Sequence, residues 1–283
     1  MLTRRVRGRV FLLRPSKKTN NIVGYVLGYV ANKYGIRIHA VKVLSNHWHI
    51  VLTDPQGAIV KFQRDCHSLI GRALNAAHDD FESVWSSEPT SRVECGEPED
   101  TVSKIAYTMA NAVQAGLVRH GHSWPGLRLA WPQHPRTYQR PRHFFSDEMP
   151  GEVVLELCRP PGYEDVADEE LADMLQRAID DAEDRARAEA DLAGRRFLGR
   201  KAVLAQSRYG SPTTREPRFG MRPRIAARNK WRRIELIRRN RAWDDSYAAA
   251  LSSWRQRDRE ALFPYGTYKM RVLHGARCAD PPM

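Results

Sequence analysis

The order of apolar patterns in the first half of the chain is strand, helix, strand, strand, helix, and it predicts an α+β fold. The expected architecture is a ferredoxin-like antiparallel sheet with packed helices, followed by a mainly helical, partly irregular C-terminal extension. Three observations carry this. Two β-rich runs flank Ser45-Asn46, helically spaced apolar residues lie on either side of that pair, and a Pro-rich stretch separates this region from the rest. The expected segments are a domain over 1–130, a Pro/Arg-rich connection over 131–166, and an acidic helix with an Arg-rich helical extension over 167–283.

Met1 to Val6 and Arg9 to Leu13 are apolar with arginines between, which reads as strand with a hairpin around Gly8. Thr19–Tyr34 places Ile22, Tyr25, Val26, Tyr29 and Val30 at helical spacing, and Gly35 stands where a left-handed residue ends a helix. Gly24 and Gly28 weaken helix propensity and suit close packing on a sheet. Ile36–Leu44 alternates, Ser45-Asn46 turns, and His47–Thr53 is β-rich, which predicts a hairpin. After the turn Asp54-Pro55-Gln56-Gly57, a helix is expected over Ile59–His78. Residues 86–100 read as loop. Glu99-Asp100-Thr101 opens a helix that runs to Ala115 and stops at Gly116. Trp124–Pro150 is expected to lack regular structure. Asp168–Leu192 carries Leu171, Met174, Leu175 and Ile179 at helical spacing, with a polar far end. Residues 208–224 read as an irregular basic loop, Asn229–Asn240 and Trp243–Arg257 as two short helices, and Phe263–Tyr268 as a turn.

The net charge of +13 is unevenly distributed over the 283 residues. Residues 1–146 are net +10, residues 147–191 net −12, and residues 195–259 net +14. Basic blocks of this strength attract polyanions through counterion release, and arginine adds bidentate contacts to phosphate. No stretch reaches the roughly 18 apolar residues of a membrane span. The four cysteines are scattered without a CxxC, and no signal-peptide pattern opens the chain, so a reducing cytoplasm is expected.

His47-Trp48-His49 is the sharpest local feature. On a strand, residues i and i+2 share a face. Both imidazoles then point one way as a half-site for a divalent metal, with Trp48 pointing the other. Tyr107 and Asn111 are i, i+4 and share a helix face, and Asn111 offers a hard amide oxygen. Cys66-His67 is a weaker candidate for a zinc site with the His47/His49 pair. His39 is expected to be packed or at the surface, and His78, His120 and His122 to be solvated. Trp85 reads either as a base-stacking or as a packing residue. Arg4, Arg5, Arg7, Arg9 and Arg14, with Arg232 and Arg233 in the extension, are the candidate contacts to a DNA backbone.

Together these motifs resemble a known family. Ser45-Asn46-His47-Trp48-His49-Ile50-Val51-Leu52 looks like the HUH motif of single-tyrosine transposases, the insertion-sequence-200-like group. Tyr107-Thr108-Met109-Ala110-Asn111-Ala112-Val113-Gln114-Ala115-Gly116-Leu117-Val118 resembles the tyrosine helix of REP-associated tyrosine transposases, with Ala112 where proline is usual. Ser123-Trp124-Pro125 matches the Trp-Pro motif that follows. The resemblance covers residues 1–130; residues 150–283 resemble an extension of longer homologues.

The resemblance implies a DNA transposase in which Tyr107 attacks single-stranded, hairpin or palindromic DNA. A 5′-phosphotyrosine link forms and a 3′-hydroxyl is released. It implies Mg²⁺ or Mn²⁺ on His47 and His49, with Asn111 our choice of third ligand, and it allows a homodimer. Two other readings make different predictions. A domesticated, non-catalytic DNA-binding protein binds without cleaving, and a generic metal phosphodiesterase turns over without a covalent adduct.

Overall fold

The computed structural model describes residues 1–142, 144, 148–214 and 223–280. Positions 215–222 of the expected basic loop lie outside the described residues. The first half runs β1 (Leu2–Arg5), α1 (Lys17–Tyr34), β2 (Arg37–Val43), β3 (His47–Thr53), α2 (Ile59–Ala76) and β4 (Ser91–Arg92). These four strands lie in the order β4-β1-β3-β2, each antiparallel to its neighbours, which is the ferredoxin-like arrangement. The chain continues through β5 (Glu94–Cys95), α3 (Pro98–Gln114) and β6 (Arg128–Ala130), and β6 adds a fifth strand beside β2. Next come β7 (Arg136–Gln139), β8 (Glu152–Leu155), α4 (Asp168–Leu192), α5 (Arg200–Ala205), β9 (Ile225–Ala226), α6 (Lys230–Arg255) and α7 (Tyr268–His274). No helix among the described residues is long and apolar enough to cross a membrane.

Alternation on β3 sorts the core into two layers. Trp48 and Ile50 pack with Tyr25 of α1 and with Phe62, Cys66 and Ile70 of α2. On the other side, Val51 and Ala40 pack with Ile105 and Met109 of α3 and with Leu171, Leu175 and Ile179 of α4. The sheet therefore carries α1 and α2 on one face and α3 and α4 on the other. Along the second half of α4 the buried apolar residues are Ala182, Ala186 and Ala190, small side chains that let two helices approach closely; Glu183 is buried among them, while Leu192 is exposed.

Local sequence sets the ends of these elements. The Ser16 side chain accepts from Thr19 N at 2.9 Å and caps α1, and Gly35 ends it at φ 61°. Glu97 and Asp100 form a reciprocal capping box that starts α3 at Pro98.

Four expectations need correction. Arg9–Leu13 is not a strand: a short 3₁₀ turn follows Val6, and Leu13 N instead bonds Ser45 O at 2.9 Å, with Leu12 and Leu13 plugging the core. Residues 86–100 hold the short strands β4 and β5 within the expected loop. Trp124–Pro150, expected to lack regular structure, contains β6 and β7, and β7 pairs with β8 in a hairpin inside the 131–166 connection. In β8, Val153 and Leu155 are buried between exposed Glu152 and Val154, a period-two pattern too short to read alone. Gly28 receives this hairpin: a Cβ there would lie 2.7 Å from Val153. Finally, the two expected C-terminal helices are one, α6. Nothing between Asn240 and Trp243 breaks a helix, and the only N-cap is Asn229, which accepts from Trp231 N and Arg232 N. The end of α6 buries Ala250 against Phe263, Met270 and Ala276 in a small separate core.

Candidate active site

His47 and His49 lie on the α3 face of β3, their ring centroids 4.8 Å apart and their planes perpendicular. Trp48, between them, is buried on the other face. Each imidazole is held by its Nδ1. His47 Nδ1 donates to Asn46 Oδ1 at 2.7 Å, while Asn46 Nδ2 donates to Arg9 O at 3.2 Å. His49 Nδ1 hydrogen-bonds Thr3 Oγ1 at 2.8 Å, across the register that pairs Thr3 with His49. The Nε2 atom of His49 is buried and has no hydrogen-bond partner.

Helix α3 lies over this pair. Asn111, largely buried, is the hydrogen-bonding neighbour of His47. One turn earlier, the Tyr107 ring centroid is 5.6 Å from that of His49, edge-on, and Tyr107 is 38% exposed. The phenol thus stands beside the imidazoles and is partly open to solvent. Lys104 Nζ sits 5.6 Å over the Tyr107 ring.

Burial, with Arg5 nearby, pushes the His47 imidazole down to about 4, and burial with the His47 and Lys42 charges holds His49 well below its ordinary value. Both rings are neutral at pH 7, the form that ligates metal. With Nδ1 engaged on both rings, Nε2 is the nitrogen left for a ligand, as when an outer hydrogen bond orients a metal-binding histidine. Two neutral imidazoles, one with an orphaned, buried Nε2, and a neighbouring amide are donors whose chemistry would fit a divalent cation. Among the described residues no group of three His, Cys, Asp or Glu side chains stands where it could hold a metal ion, and the amide nearest the histidine pair is that of Asn111.

The remaining histidines serve elsewhere. His39 bonds Cys158 O and Thr53 Oγ1, each at 2.9 Å, and is packed as expected. Cys66 and His67 lie on α2, across the sheet from His49. His67 sits between Trp48 and Trp85, at 5.7 and 5.2 Å, so it cannot complete a zinc site with the pair. Trp85 is buried and donates to His67 O at 2.7 Å, which decides its role as packing. His120 and His122 are exposed and stacked, whereas His78 is half-buried instead of solvated.

The N-terminal arginines mostly turn inward. Arg4 donates to Ser86 O and Glu88 O, and Arg7 pairs with Asp80 and Glu82. Arg9 donates to Thr214 O, and Arg14 to Leu204 O and Gln206 O. Arg5, exposed, lies opposite His47 in the register and is the one among them at the site itself. In α6, Arg232 pairs with Glu235, while exposed Arg233 makes no ion pair among the described residues.

Sequence reasoning missed Lys42. It faces α3 from β2, opposite His49 in the register, and is fully buried. Its Nζ donates to Met109 O at 2.5 Å, on the turn between Tyr107 and Asn111. Burial, with Arg128 nearby, pushes its ammonium down to about 7. Glu183 of α4 completes this layer, accepting from Gly121 N at 3.0 Å and pairing with Arg128 and Arg187. The available signal was a lysine in the inward phase of a central strand, two positions beyond Ala40. Tyr107 also borders a cleft of about 620 Å³ between α3 and α4, lined by Ser103, Asp181, Arg185 and Arg228 among others.

Comparison with models of known protein families finds no match to this chain, and comparison with curated proteins finds none.

Proposed function

We propose that the protein is a metal-dependent transposase that cleaves and rejoins single-stranded DNA, hairpin or palindromic ends in particular, through Tyr107. One observation supports this above all. A half-exposed phenol stands 5.6 Å, ring to ring, from a buried imidazole whose Nε2 is unpartnered, with the second imidazole and an amide alongside. His47, His49 and Asn111 would hold Mg²⁺ or Mn²⁺, which supplies polarisation of a phosphate oxygen when bound.

The chain's own groups account for the rest. The Tyr107 oxygen bonds to phosphorus as the bond from phosphorus to the 3′ oxygen breaks. The proton lost by the phenol is balanced by one gained at the departing 3′ oxygen. The phosphodiester energy is kept in the tyrosyl ester, so rejoining needs no nucleotide cofactor. Lys42 and Asn46 position the helix and the His47 ring, and Arg5 lies at the site to meet a phosphate.

The test is incubation with single-stranded and hairpin oligonucleotides plus Mg²⁺ or Mn²⁺, followed by a denaturing gel. A covalent protein–DNA band is expected, absent in Tyr107→Phe and in His49→Gln. A band that survives Tyr107→Phe refutes the role of Tyr107. Turnover of small phosphodiesters without an adduct refutes the tyrosyl ester, and binding with no cleavage of any substrate refutes catalysis.

A further inference from the structure

Residues 228–241 carry features that the site chemistry leaves unused. Trp231 is 75% exposed, with Lys230 Nζ 5.7 Å from its ring. On α6, Ile234, Arg238 and Arg241 follow Trp231 at i+3, i+7 and i+10, which puts them on one face. That face is turned away from buried Leu236 and Ala250. Arg238 and Arg241 are exposed and make no ion pair among the described residues, whereas Arg224, Arg232 and Arg239 are paired to Asp244, Glu235 and Glu94.

This face begins beside the candidate active site. Arg228 N donates to Asp100 Oδ1 at 3.0 Å and its guanidinium to Ser103 Oγ at 2.7 Å, and Asn229 Nδ2 donates to Glu97 at 3.0 Å. All three partners lie at the start of α3. Ser103 is one turn before Tyr107 on the same helix face, and both line one cleft with Arg228. The other wall of that cleft is α4, which brings Asp181 and Arg185 to it, so their charges offset. The α6 side adds Arg228 at the cleft and, beyond it, exposed arginines and an exposed indole.

We propose that Arg228 and the outer face of α6 form a track for the single strand leaving Tyr107, with Trp231 as the stacking platform for an unpaired base and Arg238 and Arg241 as phosphate contacts. This rests on reading Tyr107 as the DNA-attacking residue. Aromatic stacking on successive bases, combined with arginines along the backbone, is sequence-tolerant and requires unpaired bases. The extension thereby holds the strand outside the site irrespective of sequence.

The test uses the full chain carrying Tyr107→Phe, so that binding is read without covalent trapping, and fluorescence anisotropy with labelled oligothymidylate and with a duplex of the same length. Trp231→Ala is expected to weaken single-strand binding about tenfold and to leave duplex binding unchanged. Arg238→Ala with Arg241→Ala is expected to flatten the slope of log affinity against log salt by about 1.4. These positions are on the surface, and circular dichroism will report the fold intact. Binding by both variants within about twofold of the parent overturns the proposal, as does an equal loss on duplex. Adduct formation by the Tyr107-bearing chain is scored separately. Normal adduct with unchanged variant binding defeats the track alone, and no adduct with weakened Trp231→Ala binding defeats the reading of Tyr107 alone.

Discussion

On β3, Trp48 and Ile50 point to one side of the sheet and His47, His49 and Val51 to the other, and the two sides are finished differently. The α1–α2 side is a continuous apolar layer in which Trp48, Tyr25 and Phe62 are sealed. The α3–α4 side has an apolar half around Ile105, Met109 and Leu171, and a polar half where His49, Lys42 and Asn111 are buried with few partners. One strand serves both because its period is two: a single-residue slip would exchange the indole and the imidazoles. The stability contributed by the apolar side allows the other to keep an unpartnered Nε2 in place.

The comparison is broken most severely at Trp48. Trp48→Ala should lower unfolding stability by about 3–5 kcal/mol, since it opens a large cavity in the sealed layer. His49→Gln, one residue away, should cost about 1 kcal/mol, the net value of a typical hydrogen bond, while abolishing the proposed metal-dependent cleavage. Urea unfolding of both variants checks this. Equal losses would mean that the imidazole side is ordinary core.

Acid tests both sides at once. Burial pushes His67, on the apolar side, down to about 3 and His47, on the polar side, down to about 4. Below pH 6.5 the unfolded chain takes up protons that the native rings refuse, so the native state binds fewer protons than the unfolded one. Stability is therefore full above pH 6.5 and falls as the pH drops towards 4, by at most about 1.4 kcal/mol per pH unit for each ring. His67→Gln should remove its share of that slope whether or not Mn²⁺ is present, whereas Mn²⁺ should oppose protonation at His47. Urea midpoints at pH 7 and 5 report both, and a flat profile contradicts the burial of these rings.

The apolar side also extends beyond the sheet. Gly28 lets the β7–β8 hairpin sit directly on α1, where a Cβ would meet Val153 at 2.7 Å and Val154 O at 3.1 Å. Gly28→Ala gains helix propensity but overpacks this contact, for a net loss of about 1–3 kcal/mol. A thermal midpoint at or above that of the parent would show that the hairpin yields.

What could be read in the sequence follows from these distances. The His47/His49 pair needed only a strand assignment, and Tyr107/Asn111 only a helix, because both pairs are defined by local period. The ferredoxin-like order was legible because each of its first elements carries a clear pattern and a turn between neighbours. Lys42 was not, since its partner Met109 is 67 residues away, and neither was Glu183, which caps Gly121 from 62 residues away. The β7–β8 hairpin was hidden because four-residue strands between prolines carry too little alternation. Helix α6 was divided by its polar centre, where Arg238–Arg241 interrupts the apolar pattern without interrupting the backbone.

The smallest effect concerns which ion the proposed metal site on the polar side would prefer. Two neutral imidazoles and an amide oxygen, with no carboxylate among them, are a nitrogen-rich set for a hard cation. Magnesium prefers oxygen ligands and dehydrates reluctantly, while manganese takes imidazole more readily. Mn²⁺ should therefore bind about tenfold more tightly than Mg²⁺, a difference of about 1.4 kcal/mol. Titration calorimetry on the Tyr107→Phe chain reads this without turnover. His47→Gln should erase most of the difference, because it replaces the nitrogen donor with an amide resembling that of Asn111. Equal affinities for the two ions in the unmodified site would mean that water and phosphate, and not the imidazoles, set the selectivity. The exposed mouth at Tyr107 would then matter more to the ion than the buried floor.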